Sequence, residues 1–137
     1  MTSVRGDFSP SELVLIRASD REALAALVVS IANFLEQAPS AQLRDVAYTC
    51  SKTAGPAVLA VVTQSTQDLR SRLSMAASRM ASGAKRIKDK SGTYYETEPV
   101  EGKLAFVAPG GFSFYPDMMR DLAILHPECR TAFDELE

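Results

Sequence analysis

The sequence predicts an α+β fold: a small sheet covered by helices, followed by an extra strand and two further helices. Three observations carry this. Short runs of apolar β-formers alternate with longer stretches whose apolar residues recur at helical spacing. Ser-x-x-Glu and Ser-x-x-Asp pairs stand before two of those stretches, where a side chain satisfies orphan helix N–H groups. Pro and Gly fall between the segments as breaks. Few strands and several helices favour one sheet layered with helices.

Leu13 to Ile16 is a continuous apolar run and reads as a buried strand. Ser19 and Glu22 form a capping box for a first helix, whose Leu24, Leu27, Val28, Ile31, Phe34 and Leu35 make one wide apolar face. Pro39 stops it. Ser40 caps a shorter helix that turns Leu43, Val46, Ala47 and Cys50 inward. Gly55-Pro56 breaks the chain before a second buried strand, Ala57 to Val62. Ser65 and Asp68 open a third helix with Leu69, Leu73, Ala76, Ala77 and Met80 on its inner face, and Gly83 ends it in a left-handed conformation. The basic run Lys85, Arg86, Lys88, Lys90 leads to a Ser91-Gly92 turn, and Thr93 to Tyr95 suit a third strand. Pro99 to Lys103 is a polar joint containing Pro and Gly. Beyond it come a buried strand, Leu104 to Ala108, a Pro109-Gly110-Gly111 turn, and helices opened by Pro116 and Pro127. The last helix points Cys129, Ala132, Phe133 and Leu136 to one side.

Composition bounds what such a chain does. With 137 residues, 46% apolar and 23% charged, it has the make-up of an ordinary globular domain with a modest core. There is no Trp, and four Tyr and six Phe leave the core to aliphatic side chains. A net charge of −2 argues against nucleic-acid partners, whose phosphates select strong positive charge. No run approaches the roughly 18 consecutive apolar residues of a membrane helix. The N-terminal residues lack an apolar signal core, so a cytoplasmic location is expected, with no membrane partner. Cys50 and Cys129 have neither metal-ligand nor redox spacing and read as buried free thiols. No metal and no cofactor are expected.

Three features bear on chemistry. A strand–turn–helix unit such as the one at Gly110 and Gly111 can aim backbone N–H groups at a developing negative charge. It lacks the third Gly and the downstream acid of a dinucleotide fingerprint. Ser113, Asp121 and His126 are triad residue types, but Tyr115 replaces the second Gly of an elbow, and Asp121 and His126 lie five residues apart on different helical faces. Lys85, Arg86 and Lys88 could steer an acidic partner by long-range attraction; the plain alternative is a solvated loop edge.

The stretch Lys103 to Met118 carries a resemblance to a family. It is similar to the opening of the malonyl/acyl-transferase domain of polyketide and fatty-acid synthases, A-F-V-F-P-G-Q-G-S-Q-Y-P-x-M, at Ala105, Phe106, Val107, Pro109, Gly110, Ser113, Tyr115, Pro116 and Met118. Asp121-Leu122, Pro127-Glu128 and Phe133-Asp134 fit the family's next two helices. Upstream, Arg86 to Tyr95 with Glu98-Pro99 resembles the segment before the acyltransferase in polyunsaturated-fatty-acid synthases and related iterative polyketide synthases. Leu13 to Ser19 and Asp45 to Thr49 resemble the adaptor between ketosynthase and acyltransferase. Two positions depart from the pattern: the family's first Gln is Gly111 here and its second is Phe114. The Gly-His-Ser-x-Gly elbow and the later catalytic His have no counterpart.

The resemblance implies a three-stranded sheet with helices on one face. It implies a linker domain over 11–99, and over 100–137 the first strand and helices of an acyltransferase-like domain without the residues that react. The expected role is a non-catalytic structural linker positioning ketosynthase and acyltransferase domains of a type I polyketide or polyunsaturated-fatty-acid-type synthase. Gly110 and Gly111 would be an inactive equivalent of the oxyanion turn. Those domains are the expected partners, an acyl carrier protein is a further one, and a homodimer is compatible with the pattern. Two alternatives stay open: a fragment of a malonyl/acyl-CoA:acyl-carrier-protein transacylase, and a standalone carrier-protein docking module.

Overall fold

A computed structural model describes residues 11–96, 102–107 and 115–135. The chain divides into two compact units, Ser9–Val100 and Met1–Phe8 with Glu101–Glu137. In the first, the order is β1 (Glu12–Ala18), α1 (Arg21–Gln37), α2 (Leu43–Ser51), β2 (Ala57–Thr63), α3 (Thr66–Ala81), β3 (Arg86–Asp89) and β4 (Thr93–Glu96). The strands form one antiparallel sheet in the order β1-β2-β4-β3. The fold class is α+β.

One face of the sheet makes the core. Val14, Ile16, Leu59, Val61 and Ile87 meet Leu24 and Val28 of α1 and Leu69, Leu73 and Ala76 of α3, all within 1% of complete burial. Each such Leu, Ile or Val contributes about 1.5–3 kcal/mol relative to exposure. α2 packs along β1 through Val46, Ala47 and Cys50. Where β1 has no strand neighbour, the Arg17 N–H donates to Thr53 Oγ1 at 2.9 Å.

The helix ends follow the sequence in part. Ser65 caps α3, its hydroxyl accepting from Asp68 N at 3.1 Å. Gly83 closes α3 at φ +90°, with Gly83 N–H bonded to Met80 O and Ala84 N–H to Arg79 O, a Schellman pattern. The cap of α1 is Asp20, not Ser19: its carboxylate accepts from Ala23 N at 2.8 Å while Ser19 donates to it at 2.7 Å. An ionised acceptor suits the positive helix end better than a hydroxyl. α2 begins at Leu43 with Gln42 as its cap residue and no capping side chain, so Ser40 is not the cap. Phe34, expected inside, is 51% exposed.

The basic run contains a strand that makes the sheet four-stranded rather than three. Arg86–Asp89 joins β4 through the loop Lys90-Ser91-Gly92, in which Gly92 N–H bonds to Asp89 O and Gly92 takes φ +102°. A turn followed by Gly at positive φ is a standard three-residue hairpin loop. Gly92 O then accepts from Val62 N at 2.8 Å, extending the ladder on β2.

The second unit contains α4 (Arg120–Leu125) and α5 (Pro127–Asp134). The strand expected at Leu104–Ala108 is not formed over 103–107, which have no regular structure; Ala108 lies outside the described residues. A strand requires a ladder partner for its N–H and C=O groups, and apolar residues alone do not supply one. Pro116 opens a turn rather than a helix, because Asp117 and Met119 take φ +61° and +62° and α4 starts only at Arg120. Pro127 does sit at the start of α5, with Glu128 in its first turn. No described residue of 102–107 or 115–135 is buried; Cys129 is half-buried, Phe133 is exposed, and Leu136 lies outside the described residues.

Candidate interaction face

The helices cover one side of the sheet only, and strand alternation decides what the other side shows. Leu13, Leu15 and Arg17 of β1, Val58, Ala60 and Val62 of β2, Tyr94 and Glu96 of β4, and Arg86 and Lys88 of β3 point away from the core. The register sets them in rows. Leu13 lies opposite Val62; Leu15, Ala60, Tyr94 and Lys88 cross all four strands; Arg17 lies opposite Val58, and Glu96 opposite Arg86. Leu13 is 53% exposed, Tyr94 44% and Val62 39%, while Leu15, Val58 and Ala60 between them are half-buried.

An antiparallel sheet with one wet face normally alternates apolar inward and polar outward. β3 does so, with Arg86 and Lys88 outward and Ile87 as its one apolar inward residue. β1 and β2 do not: both their faces are largely apolar, and no described helix of this unit lies over one of them. Exposed contiguous apolar surface of this kind marks an interaction site.

Charge rims the face. Arg86 pairs with Glu96 at 3.2 Å. Arg17 and Lys88 make no ion pair among the described residues. The hairpin carrying Arg86 and Lys88 is fixed from the core side. Arg72 bonds Asp68 at 2.8 Å, and its other nitrogen donates to the Ser91 carbonyl. Asp68 also accepts from Thr63 Oγ1 at 2.8 Å. The Arg72 hydrogen bond, with that of Thr63, holds the Asp68 carboxyl below its ordinary range against a smaller opposing effect of burial. Asp89 is held low by the Ser91 N–H.

Of the sequence-predicted cations, Arg86 and Lys88 share the open face, while Lys85 precedes the strand. Gly110, Gly111 and Ser113 lie outside the described residues. Asp121 sits in the first turn of α4 and His126 between α4 and α5, and no hydrogen bond joins their side chains among the described residues. The Cys50 thiol is buried, which pushes its pKa up and leaves it a poor nucleophile. Among the described residues no three His, Cys, Asp or Glu side chains cluster as metal ligands, and no helix is long and apolar enough to cross a membrane.

The face itself was missed by sequence reasoning. Its signal was present: Leu13-Val-Leu-Ile and Ala57 to Val62 are apolar on consecutive residues, which requires cover on both sides of the sheet. Among the described residues of this unit only one side has such a cover.

Residues 12–73 match the family described as CurL-like, PKS C-terminal. No curated protein sequence matches the chain. Among the solved structures that share its fold are two from synthases. One is of the acyltransferase domain of the iterative polyketide synthase in enediyne biosynthesis, at 22% identity and TM-score 0.56, covering 65% of this chain and 24% of that one. The other is the ketosynthase from module 1 of the bacillaene synthase of Bacillus amyloliquefaciens FZB42, at 21% identity and TM-score 0.54, covering 82% and 20%. The chain thus spans about a quarter or less of either. Residues 12–73 are similar in sequence to a polyketide-synthase-associated family, on a fold shared with an acyltransferase-domain and a ketosynthase structure, in line with the resemblance to the ketosynthase–acyltransferase region of a type I polyketide synthase.

Proposed function

We propose that this chain is a non-catalytic structural linker that holds ketosynthase and acyltransferase domains of a cytoplasmic polyketide or fatty-acid megasynthase in fixed relation. Residues 11–99 are the adaptor in this reading, and 100–137 the opening of an acyltransferase-like domain. The observation that carries it is the uncovered apolar face of β1 and β2, which an adaptor between two domains needs and a free-standing domain does not. The second unit supports it: Leu104, Phe106 and Val107 are more than four-fifths exposed and no described residue there is buried, as for the edge of a larger core. Gly110 and Gly111 are then an oxyanion turn without a nucleophile, and Lys85, Arg86 and Lys88 a contact for the carrier protein that shuttles between the domains.

Two measurements test this together. The purified chain, incubated with radiolabelled malonyl-CoA, forms no acyl-enzyme. It binds a separately purified ketosynthase or acyltransferase domain of a type I polyketide synthase, and the double substitution Leu13→Thr, Val62→Thr weakens that binding by about tenfold, the loss expected for burying two hydroxyl-bearing side chains in an apolar interface. A stable acyl-enzyme overturns the non-catalytic reading. Binding indifferent to the double substitution, or none, overturns the adaptor reading.

A further inference from the structure

The rows of the open sheet face form a groove as well as a patch. Ala60 lies between Leu15 and Tyr94, with Val58 and Val62 on either side of it along β2. Ala60, the smallest side chain of the face, therefore makes its lowest point, and the longer Leu15 and Tyr94 stand on either side of it as the walls of a shallow channel along β2. The axes of β1 and β4, two strands apart, are separated by about 10 Å, so a helix of roughly 10 Å diameter lying over β2 touches the side chains of both. From Leu13 to Arg17 the channel is about 13 Å long at the usual strand rise, the length of some two and a half helical turns.

The charge at its rim is one-sided. Arg17 stands at one end of the β1 wall and Lys88 beyond Tyr94 on the other side, neither in an ion pair among the described residues. Among the described residues of the face the one carboxylate, on Glu96, is taken by Arg86. This positive rim sits on a chain whose net charge is −2. A second copy docking face to face would bring the same cations together and be repelled.

We propose that the groove along β2 docks an amphipathic helix of about three turns, from another domain or protein, whose apolar ridge is flanked by carboxylates that meet Arg17 and Lys88. This rests on the reading of the face as an interface and adds what fills it. The apolar ridge lies over Ala60, Val58 and Val62, and the carboxylates set orientation and salt-sensitive association.

The test uses the full chain and a synthetic helical peptide of three to four turns, Leu on one face and Glu on both flanks, with a Lys-flanked peptide as control. Amide shifts in an NMR titration are expected at 13–17, 58–62, 88 and 94 with the Glu peptide only. Arg17→Glu with Lys88→Glu, two solvent-exposed substitutions, should weaken it by about tenfold and confer binding of the Lys peptide. Ala60→Phe, which fills the floor, should abolish binding of both while leaving the thermal unfolding of the chain unchanged. Equal binding of the two peptides, shifts centred on the exposed Val29 and Phe34 side of α1, no binding, or self-association through this face in sedimentation would each overturn the proposal. A polyketide-synthase domain that binds through Leu13 and Val62 but is indifferent to the Arg17 and Lys88 reversals would sink the acidic helix while leaving the adaptor reading in place.

Discussion

Asp68 joins three elements through its two oxygens: the end of β2 at Thr63, the first turn of α3 and, through Arg72, the hairpin loop at Ser91. Its carboxyl is depressed chiefly by the Arg72 hydrogen bond. A carboxylate with a lowered folded pKa stabilises the fold fully above its unfolded value, ordinarily 3.8, and loses that contribution as pH falls through the folded value. Asp20 and Asp89 are shifted the same way. Stability is therefore expected to fall with acidification below about pH 4, and Asp68→Asn to flatten that slope without removing it. Urea unfolding between pH 2 and 5 measures both; an unchanged slope in the variant would show that the bond to Arg72 is not formed in solution. Tyr95 and Thr93, on the inner face of β4, carry buried hydroxyls with no hydrogen-bond partner among the described residues. The hairpin is thus held on its core side by the packing of Ile87 and the Tyr95 ring and by the Arg72 link.

At the scale of elements, the two units differ in what supports their helices. α1 and α3 bury Leu24, Val28 and Leu35, and Leu69, Leu73 and Met80, against the sheet and each other. α4 and α5 have six and eight residues and bury none. Isolated helices shorter than about 12 residues are marginal in water, and one 4.0 Å ion pair between Arg130 and Asp134 adds little. Amides of 120–134 should exchange with deuterium within seconds at neutral pH, while those of β2 and α3 stay protected by the global unfolding free energy. Protection of α5 equal to that of α3 would mean that it has a core after all. The same contrast explains what the sequence made legible. Helical periodicity at Leu24 and Leu69, the Ser65 cap and the Gly83 stop are local and were readable. β3 was not, because Arg86-Ile87-Lys88-Asp89 offers one apolar residue and becomes a strand only through its hairpin partner. Leu104 to Val107 misled for the converse reason: the apolar signal was there and the ladder partner was not. Nor does periodicity say whether the second face of β1 and β2 is covered, which is why the groove had to be read from the fold.

The whole molecule turns on a division of labour between the two sides of one sheet. If the inner face alone holds the chain folded, the apolarity of the outer face is free to serve something else; if both are needed, the outer face belongs to the folding core. These are separable by stability. Leu59→Ala removes a fully buried side chain and is expected to cost about 2–5 kcal/mol through lost transfer and the cavity it leaves. Leu13→Thr with Val62→Thr keeps β-forming side chains at two exposed positions on the face turned away from the core, and should change stability by no more than about 0.5 kcal/mol per site. Guanidinium unfolding of the three chains gives the comparison directly. A double variant as unstable as Leu59→Ala would place Leu13 and Val62 inside the folding core. A double variant as stable as the parent, with its binding lost, would leave recognition as the reason for apolar residues on the outer side of β1 and β2.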